Sequence, residues 1–335
     1  MLQLSLVRDK TSFVSGFHPN SPVKPRHSIK IEQIPVFRPQ YFPQNEPKPW
    51  LDRENAKEAI ALLLADNRID EADAQLCHNW IEDGCVVVRG LFDARTLDNA
   101  WKDYERAIAN SRVVPQASCK VNGLPGRNLN THFQVKKIAG LLKDTRITRI
   151  VSMLIGAKCL PFQTITGHNG SQQLEHSDAI HMTTYPMDYL VAAWVAMENI
   201  DSQAGPLVYY PGSHRLPHFF SAEADISVNE FAQNGYAAYR QKYEPQIQQM
   251  IRAHNLKPKY FLPQKGDVLL WHSNLIHGGS PRQNLNLSRR ALVCHYFAHG
   301  CICYHDLAAS LAHIHTDSRL VRLSQKIANK FKLKK

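Results

Sequence analysis

Two hydrophobic rhythms divide the chain. Between residues 51 and 156, apolar positions recur every three or four residues, the period of a helix with one buried face. Residues 54–65 are dense in strong helix formers. Residues 70–83 read as a second helix that stops at Gly84, a residue suited to the left-handed position after a last turn. Residues 93–110 carry Leu97, Trp101 and Tyr104 on one stripe, and residues 135–154 read as one further helix. A β-branched run over 85–92 (CVVVRGLF) stands among them as a strand, and the polar stretch 111–133 reads as a loop. From Leu160 the rhythm shortens. Candidate strands at 160–166, 174–178, 190–198, 206–210, 267–272, 275–279 and 289–297 alternate with Gly, Pro and Asn turn signals, which predicts a sandwich or barrel. A helical pattern over 222–253 interrupts them.

The chain ends differ from this middle. Residues 1–50 hold eight of the 19 prolines, and repeated X-Pro steps forbid helix and favour extended chain. They read as an arm lying along the domain. Residues 317–335, ending KFKLKK, read as a basic amphipathic helix with a solvated face. The expected organisation is therefore an arm (1–50), one domain (51–315) and a C-terminal helix (316–335). Within the domain a helical support (51–156) precedes a barrel (158–300) that carries the insert (222–253).

Composition narrows the function classes. With 44% hydrophobic and 21% charged residues, the chain can offset the entropy of ordering, which excludes wholesale disorder. No apolar run approaches the length of a transmembrane helix, and MLQLSLVRDK lacks the apolar core of a secretory signal. Seven irregularly spaced cysteines predict a reduced, intracellular and hence cytoplasmic protein. The 40 Lys and Arg outnumber 29 Asp and Glu, a net charge of +11. These basic residues are dispersed and form no recognition module, so nucleic acid is not the expected partner; the balance suits an anionic small-molecule substrate. Phosphate-binding loops, dinucleotide fingerprints and a nucleophile elbow are absent.

The candidate chemistry begins at LEHSD. If residues 174–178 form a strand, His176 and Asp178 point to one face and reach one metal ion together. About a hundred residues on, GDVLLWHSNLIHGGS supplies His277. Two histidines and one carboxylate form the facial triad that leaves positions open for Fe(II) and O₂ chemistry. Arg289 follows in SRRALVCHYF, sharing a strand face with Ala291, Val293 and His295. A guanidinium inside an apolar barrel demands a carboxylate, which a dicarboxylate cosubstrate would supply. Other signals carry blander readings. His272 and His214 read as hydrogen-bonded core or turn residues. Cys294, His295, His299, Cys301, Cys303 and His305 match no zinc spacing and read mainly as buried thiols. Tyr236, Tyr239 and Tyr243 read as packing, while His181, Met182 and Tyr185 either line a substrate pocket or pack the barrel rim.

These motifs, in this order, resemble the phytanoyl-CoA dioxygenase family of Fe(II)/2-oxoglutarate-dependent oxygenases. The matching residues are NWIEDGCVVVRGLF (79–92), EHSD (175–178), LVAAWVAMENIDSQAGPLVYYPGSH (190–214), GDVLLWHSNLIHGGS and SRRALVCHYF (266–297). The resemblance implies an α+β fold with a mainly β core: a double-stranded β-helix, or jelly-roll, cupin-like barrel flanked by helices. It implies Fe(II) held by His176, Asp178 and His277, with Arg289 on the distal carboxylate of 2-oxoglutarate and Trp194 and Gln163 lining the cosubstrate pocket. O₂ is then consumed, succinate and CO₂ are released, and an unactivated C–H bond of a small-molecule or carrier-linked substrate is hydroxylated. In relatives a Ser often stands two residues after the second histidine and the Arg eleven after it. Here Gly279 holds the first place, Ser280 follows, and Arg289 lies twelve on, which predicts a one-residue bulge. The alternative is a cupin-type metal-binding barrel without oxygenase activity, which has no need for a buried Arg289.

Overall fold

The structure is a computed structural model that describes residues 16–114 and 127–312. The predicted basic helix at the C-terminus lies outside the described residues. Helices Ala56–Ala65, Glu71–Asp83 and Ala94–Ala109 open the domain. The second is capped at both ends: Asp70 accepts from the Asp73 N–H, and Gly84 takes the left-handed conformation at φ 72°. No other residue fits at Gly84 without displacement, because a Cβ would come within 2.3 Å of His214 Nδ1. The helix expected over 135–154 is two helices, Lys136–Leu142 and Thr145–Ile155. Asp144 separates them. Its backbone is extended, and its side chain caps the second helix through the Arg146 N–H.

The strands are β1 (Cys85–Val88), β2 (Arg127–Leu129), β3 (Cys159–Gly167), β4 (Thr183–Tyr185), β5 (Leu190–Ala196) and β6 (Leu207–Tyr209), followed by β7 (Lys259–Phe261), β8 (Val268–His272), β9 (His277–Gly279), β10 (Ala291–Ala298), β11 (Ile302–His305) and β12 (Ser310–Leu311). One six-stranded sheet has the order β1-β8-β5-β10-β3-β2. Two three-stranded sheets, β12-β11-β4 and β7-β6-β9, complete the barrel. The barrel is a double-stranded β-helix flanked by helices, and its small sheets run past residue 300 through β11 and β12. Those two strands, together with β2, β4 and β7, were too short or too polar to carry a period-two signal.

The large sheet is buried on both faces, which is why β5 reads as the unbroken apolar run LVAAWVA. Ala192, Trp194 and Ala196 face inward with Leu269, Trp271 and Ala291. Val191, Ala193 and Val195 face outward and pack with Leu270, Leu292 and Tyr296 against Trp80, Leu97 and Leu154 of the helices. Each large side chain buried this way contributes about 1.5–3 kcal/mol. The insert comprises Val228–Asn234, Tyr236–Ala238, a π-helical Tyr239–Tyr243 and Glu244–Ala253. It packs Tyr239, Tyr243 and Ile247 against Ile180, Val208 and Ile276 of the barrel.

The described part of the arm wraps the barrel in short 3₁₀ turns. Phe42 stacks between Tyr185 and Tyr304 at 4.8 and 4.9 Å, covering the outer face of β4 and β11. Glu46 fastens it. Its carboxylate accepts from Tyr185 Oη, from the Arg26 N–H at 2.6 Å and from the His27 N–H at 3.0 Å. Burial alone would raise this carboxyl, but those donors outweigh it and hold it at about 2. A carboxylate depressed in the folded state stabilises fully above its ordinary pKa and loses that contribution as pH falls through the depressed value. Glu46→Gln is therefore expected to lower stability by about 1–2 kcal/mol at neutral pH. Thermal unfolding followed from pH 7 downward should show the gap to the unaltered protein closing between the ordinary carboxylate range and about pH 2.

Candidate metal centre

Residues 174–178 do not form the expected strand. His176 makes one isolated antiparallel bridge with His277, and Asp178 opens a 3₁₀ turn, Asp178–Ile180. Two backbone hydrogen bonds of 2.9 Å each, His176 N to His277 O and the reverse, lock the histidines side by side. The turn brings the carboxylate to them, anchored by Ala179 N donating to Ser273 O at 2.9 Å. Asp178 Oδ1 lies 3.9 Å from His176 Nε2 and 3.8 Å from His277 Nε2. The three donor atoms lie within 4.8 Å of one another, and all three residues are buried.

Hydrogen bonds decide which atoms face inward. His176 Nδ1 donates to the Leu174 carbonyl and His277 Nδ1 to the Leu275 carbonyl, both at 2.9 Å. A carbonyl only accepts, so the proton sits on Nδ1 and each Nε2 keeps its lone pair for the shared centre. Asp178 Oδ2 accepts from Trp271 Nε1 at 2.9 Å and lies 3.7 Å from His295 Nε2, which leaves Oδ1 to the centre. Burial, reinforced by His277, pushes the His176 imidazole down to about 3. Burial alone would raise the Asp178 carboxyl, but His277, His295 and His176 hold it well below the usual carboxylate range. The set offers two imidazole nitrogens and one carboxylate, the donor chemistry of an open divalent-metal site. Gln173 Nε2 stands 3.2 Å from His176 Nε2, donating to the lone pair that a metal ion would take.

A second group, Asp52, Asp188 and His272, brings similar atoms together and fails the same test. There the Asn274 N–H donates to His272 Nδ1 at 3.0 Å, so the proton must sit on Nε2, which points at Asp52 Oδ2 across 3.3 Å. Asp188 is already engaged by His218 at 2.8 Å and Ser273 Oγ at 3.0 Å. This cluster is an ion-pair knot joining the 3₁₀ turn Trp50–Asp52 to the barrel.

Arg289 precedes β10 rather than lying within it; its N–H donates to the His168 carbonyl at 2.7 Å. The guanidinium is buried at 7% exposure, lies 5.5 Å over the Trp194 ring, and donates through Nη1 to the Gly205 carbonyl at 3.3 Å. Its Nε has no partner, and no carboxylate among the described residues pairs with it. Burial, with Arg127 and Arg282 nearby, pushes it down to about 10. Trp194 is on the inward face of β5, and half-buried Gln163 of β3 stands opposite His295. The bulge expected after His277 is absent: β9 pairs with β6 in unbroken register through Gly279. Side-chain room explains the glycine, since a Cβ at 279 would come within 2.8 Å of the Gln172 nitrogen. Ser280 Oγ instead donates to the Pro206 carbonyl at 2.7 Å. A bulge does occur in β3, where Phe162 is the extra residue opposite His295 and Tyr296 of β10.

The Cys/His-rich stretch does not converge. Cys294 faces the helices, His299 is exposed, and burial pushes the Cys294 and Cys303 thiols up to about 12, far from thiolate. His295 stands beside the centre, 3.7 Å from Asp178 Oδ2; the sequence reading leaves it in the Cys/His-rich patch, although the strand face it is expected to share with Arg289 carried the signal. Trp271 carried no signal of its own. Of the three residues after the H-x-D, Met182 packs on the helix side and Tyr185 under the arm; only His181 borders the centre, its ring 5.8 Å from that of His176.

The model of the phytanoyl-CoA dioxygenase family matches residues 80–291. The chain belongs to the phytanoyl-CoA dioxygenase family. It is 30% identical over 280 residues to the peroxisomal phytanoyl-CoA dioxygenase of Homo sapiens, spanning 79% of this chain and 74% of that one. To the Bos taurus protein of the same name it is 24% identical over 282 residues, 82% and 77% of the two chains. In fold it is similar to EctD from S. alaskensis solved with 2-oxoglutarate and 5-hydroxyectoine, at TM-score 0.54 and 18% identity over 69% of this chain and 76% of that one. As a family member it is an Fe(II)- and 2-oxoglutarate-dependent dioxygenase, which sets aside the barrel without oxygenase activity. No helix among the described residues is long and apolar enough to cross a membrane.

Because Trp271 Nε1 aims the Asp178 carboxylate, Trp271→Phe keeps the ring packing and removes the aim. Affinity for Fe(II) or Mn(II), titrated without oxygen, is expected to fall about 10–100-fold.

Proposed function

We propose that His176, Asp178 and His277 hold the iron, that Arg289 binds the distal carboxylate of 2-oxoglutarate, and that Trp194 and Gln163 wall that cosubstrate. The observation that carries this reading is the buried, acid-free guanidinium of Arg289 inside the same barrel as the triad. A buried cation without a counter-ion is costly, and a bound dicarboxylate relieves that cost. Iron with 2-oxoglutarate and O₂ supplies an oxidant that hydroxylates a C–H bond while succinate and CO₂ leave. The protein's part is geometry and charge. The paired Nδ1 hydrogen bonds hold both imidazoles in the metal-binding tautomer, Trp271 holds the carboxylate, and the inward face of Trp194, Ala192 and Leu269 keeps the centre dry.

The substrate reading is an anionic, carrier-linked acyl group, with phytanoyl-CoA as its first representative. The relatives' names support it, as do the net charge of +11 and the basic grouping of Arg127 and Arg282 around Arg289. The described cysteines are free and buried, which supports an intracellular, reducing location; the mammalian relatives are named peroxisomal.

Adding Fe(II) and 2-oxoglutarate without oxygen should produce a visible metal-to-ligand charge-transfer band. Asp178→Ala should abolish it. Arg289→Ala should raise the 2-oxoglutarate requirement about 30- to 100-fold, the loss of a charge-assisted anchor. An unchanged 2-oxoglutarate requirement in that variant would remove Arg289 from the cosubstrate site. With phytanoyl-CoA present, succinate release should rise above the uncoupled background and one oxygen atom should appear on the acyl chain; no rise would exclude that substrate.

A further inference from the structure

The insert brings two enclosed polar atoms without partners to the edge of the metal centre. They are His181 Nδ1 and Tyr239 Oη. The His181 ring lies 5.1 Å from that of Tyr239, 5.8 Å from those of Tyr236 and His176, and 5.6 Å from that of His305. Tyr239 begins the π-helical turn, a distortion that recurs at functional sites, and stacks on Tyr243 at 4.8 Å. Tyr243 in turn reaches the metal loop, its hydroxyl 3.3 Å from Ser177 Oγ. The outer end of the group is open, with Tyr236 45% exposed. The neighbouring polar atoms are satisfied: Ala308 N donates to His305 Nδ1, so His305 Nε2 donates to Tyr236 Oη at 3.3 Å.

An enclosed donor or acceptor left unpaired is costly, and two within one ring cluster beside a reaction centre call for a ligand. We infer that His181 and Tyr239 form a substrate subsite that takes an uncharged oxygen, a carbonyl or hydroxyl, and so place the carbon beside it at the metal centre. The rings packed on His181 are those of two tyrosines and two histidines, which suit a polar oxygen, while Arg127, close enough to act on His181 and Tyr236, marks the side toward which an ionic part of the substrate would lie. Ionic parts of the substrate belong instead near Arg127 and Arg282. This inference rests on the proposed metal site, and its test separates the two.

The full chain is loaded with Mn(II) and 2-oxoglutarate, and proton relaxation is followed on added cyclohexanone and, separately, cyclohexanecarboxylate. The manganese should speed relaxation of the 2-oxoglutarate and cyclohexanone protons. In Tyr239→Phe, which keeps the stacked ring, and in His181→Phe, the cyclohexanone effect should fall about tenfold while the 2-oxoglutarate effect persists. Cyclohexanone relaxation that stays in both variants at the level of the unaltered protein, or that is absent in the unaltered protein while 2-oxoglutarate responds, would overturn the subsite. So would a stronger effect on cyclohexanecarboxylate. If 2-oxoglutarate itself does not respond in the unaltered protein, the metal-site reading falls and takes this inference with it.

Discussion

The pair of backbone hydrogen bonds between His176 and His277 is the constraint on which the rest of the centre depends. It joins a loop to β9 across about a hundred residues of sequence and sets two imidazoles side by side. Everything else refines that juxtaposition. The carbonyls of Leu174 and Leu275 set both tautomers, and the Asp178 turn closes the third side. Trp271, from the facing large sheet, fixes which carboxylate oxygen looks inward. The centre therefore spans both layers of the barrel, and loss of packing between layers would misplace the carboxylate before the histidines.

That packing comes from the two-sided burial of the large sheet. Its outward face is sealed by helices, so its inward face can be spent on Trp194, Trp271, His295 and Arg289 rather than on core filling alone. The same economy explains why buried polar groups are tolerated here. Asp178 is balanced by histidines and an indole N–H, while Arg289 pairs with no carboxylate among the described residues, the gap that the proposed dicarboxylate would fill. The arm and the insert work on the other layer. Phe42 and Glu46 brace β4 from outside, and the insert lays its tyrosines over the metal loop.

Much of this was legible in the residues. Helix caps at Asp70 and Gly84, the apolar run of β5, and the strands carrying His277 and His295 all follow from local propensity and alternation. The triad is legible as residues in order, but its geometry is not: His176 and Asp178 meet through a bridge and a 3₁₀ turn rather than along one strand face. Short strands such as β4 and β11 were hidden because three or four residues carry too little alternation to register. The break at Asp144 was hidden because an aspartate inside a helical pattern looks like a surface position until it caps.

The amino-acid order alone carried the short strands of a sandwich or barrel, the H-x-D and the distant histidine, because each follows from chemistry local to a few residues; the choice of a double-stranded β-helix came with the resemblance of those motifs to the family. Tertiary contacts decided the rest. Whether a histidine can bind metal depends on what its other nitrogen meets: a carbonyl at His176 and His277, but an N–H at His272. Which of the Cys/His-rich residues joins the centre depends on which face of β10 each occupies once the sheet is closed. Those partners come from segments tens to hundreds of residues away, and only the folded chain brings them within hydrogen-bonding distance.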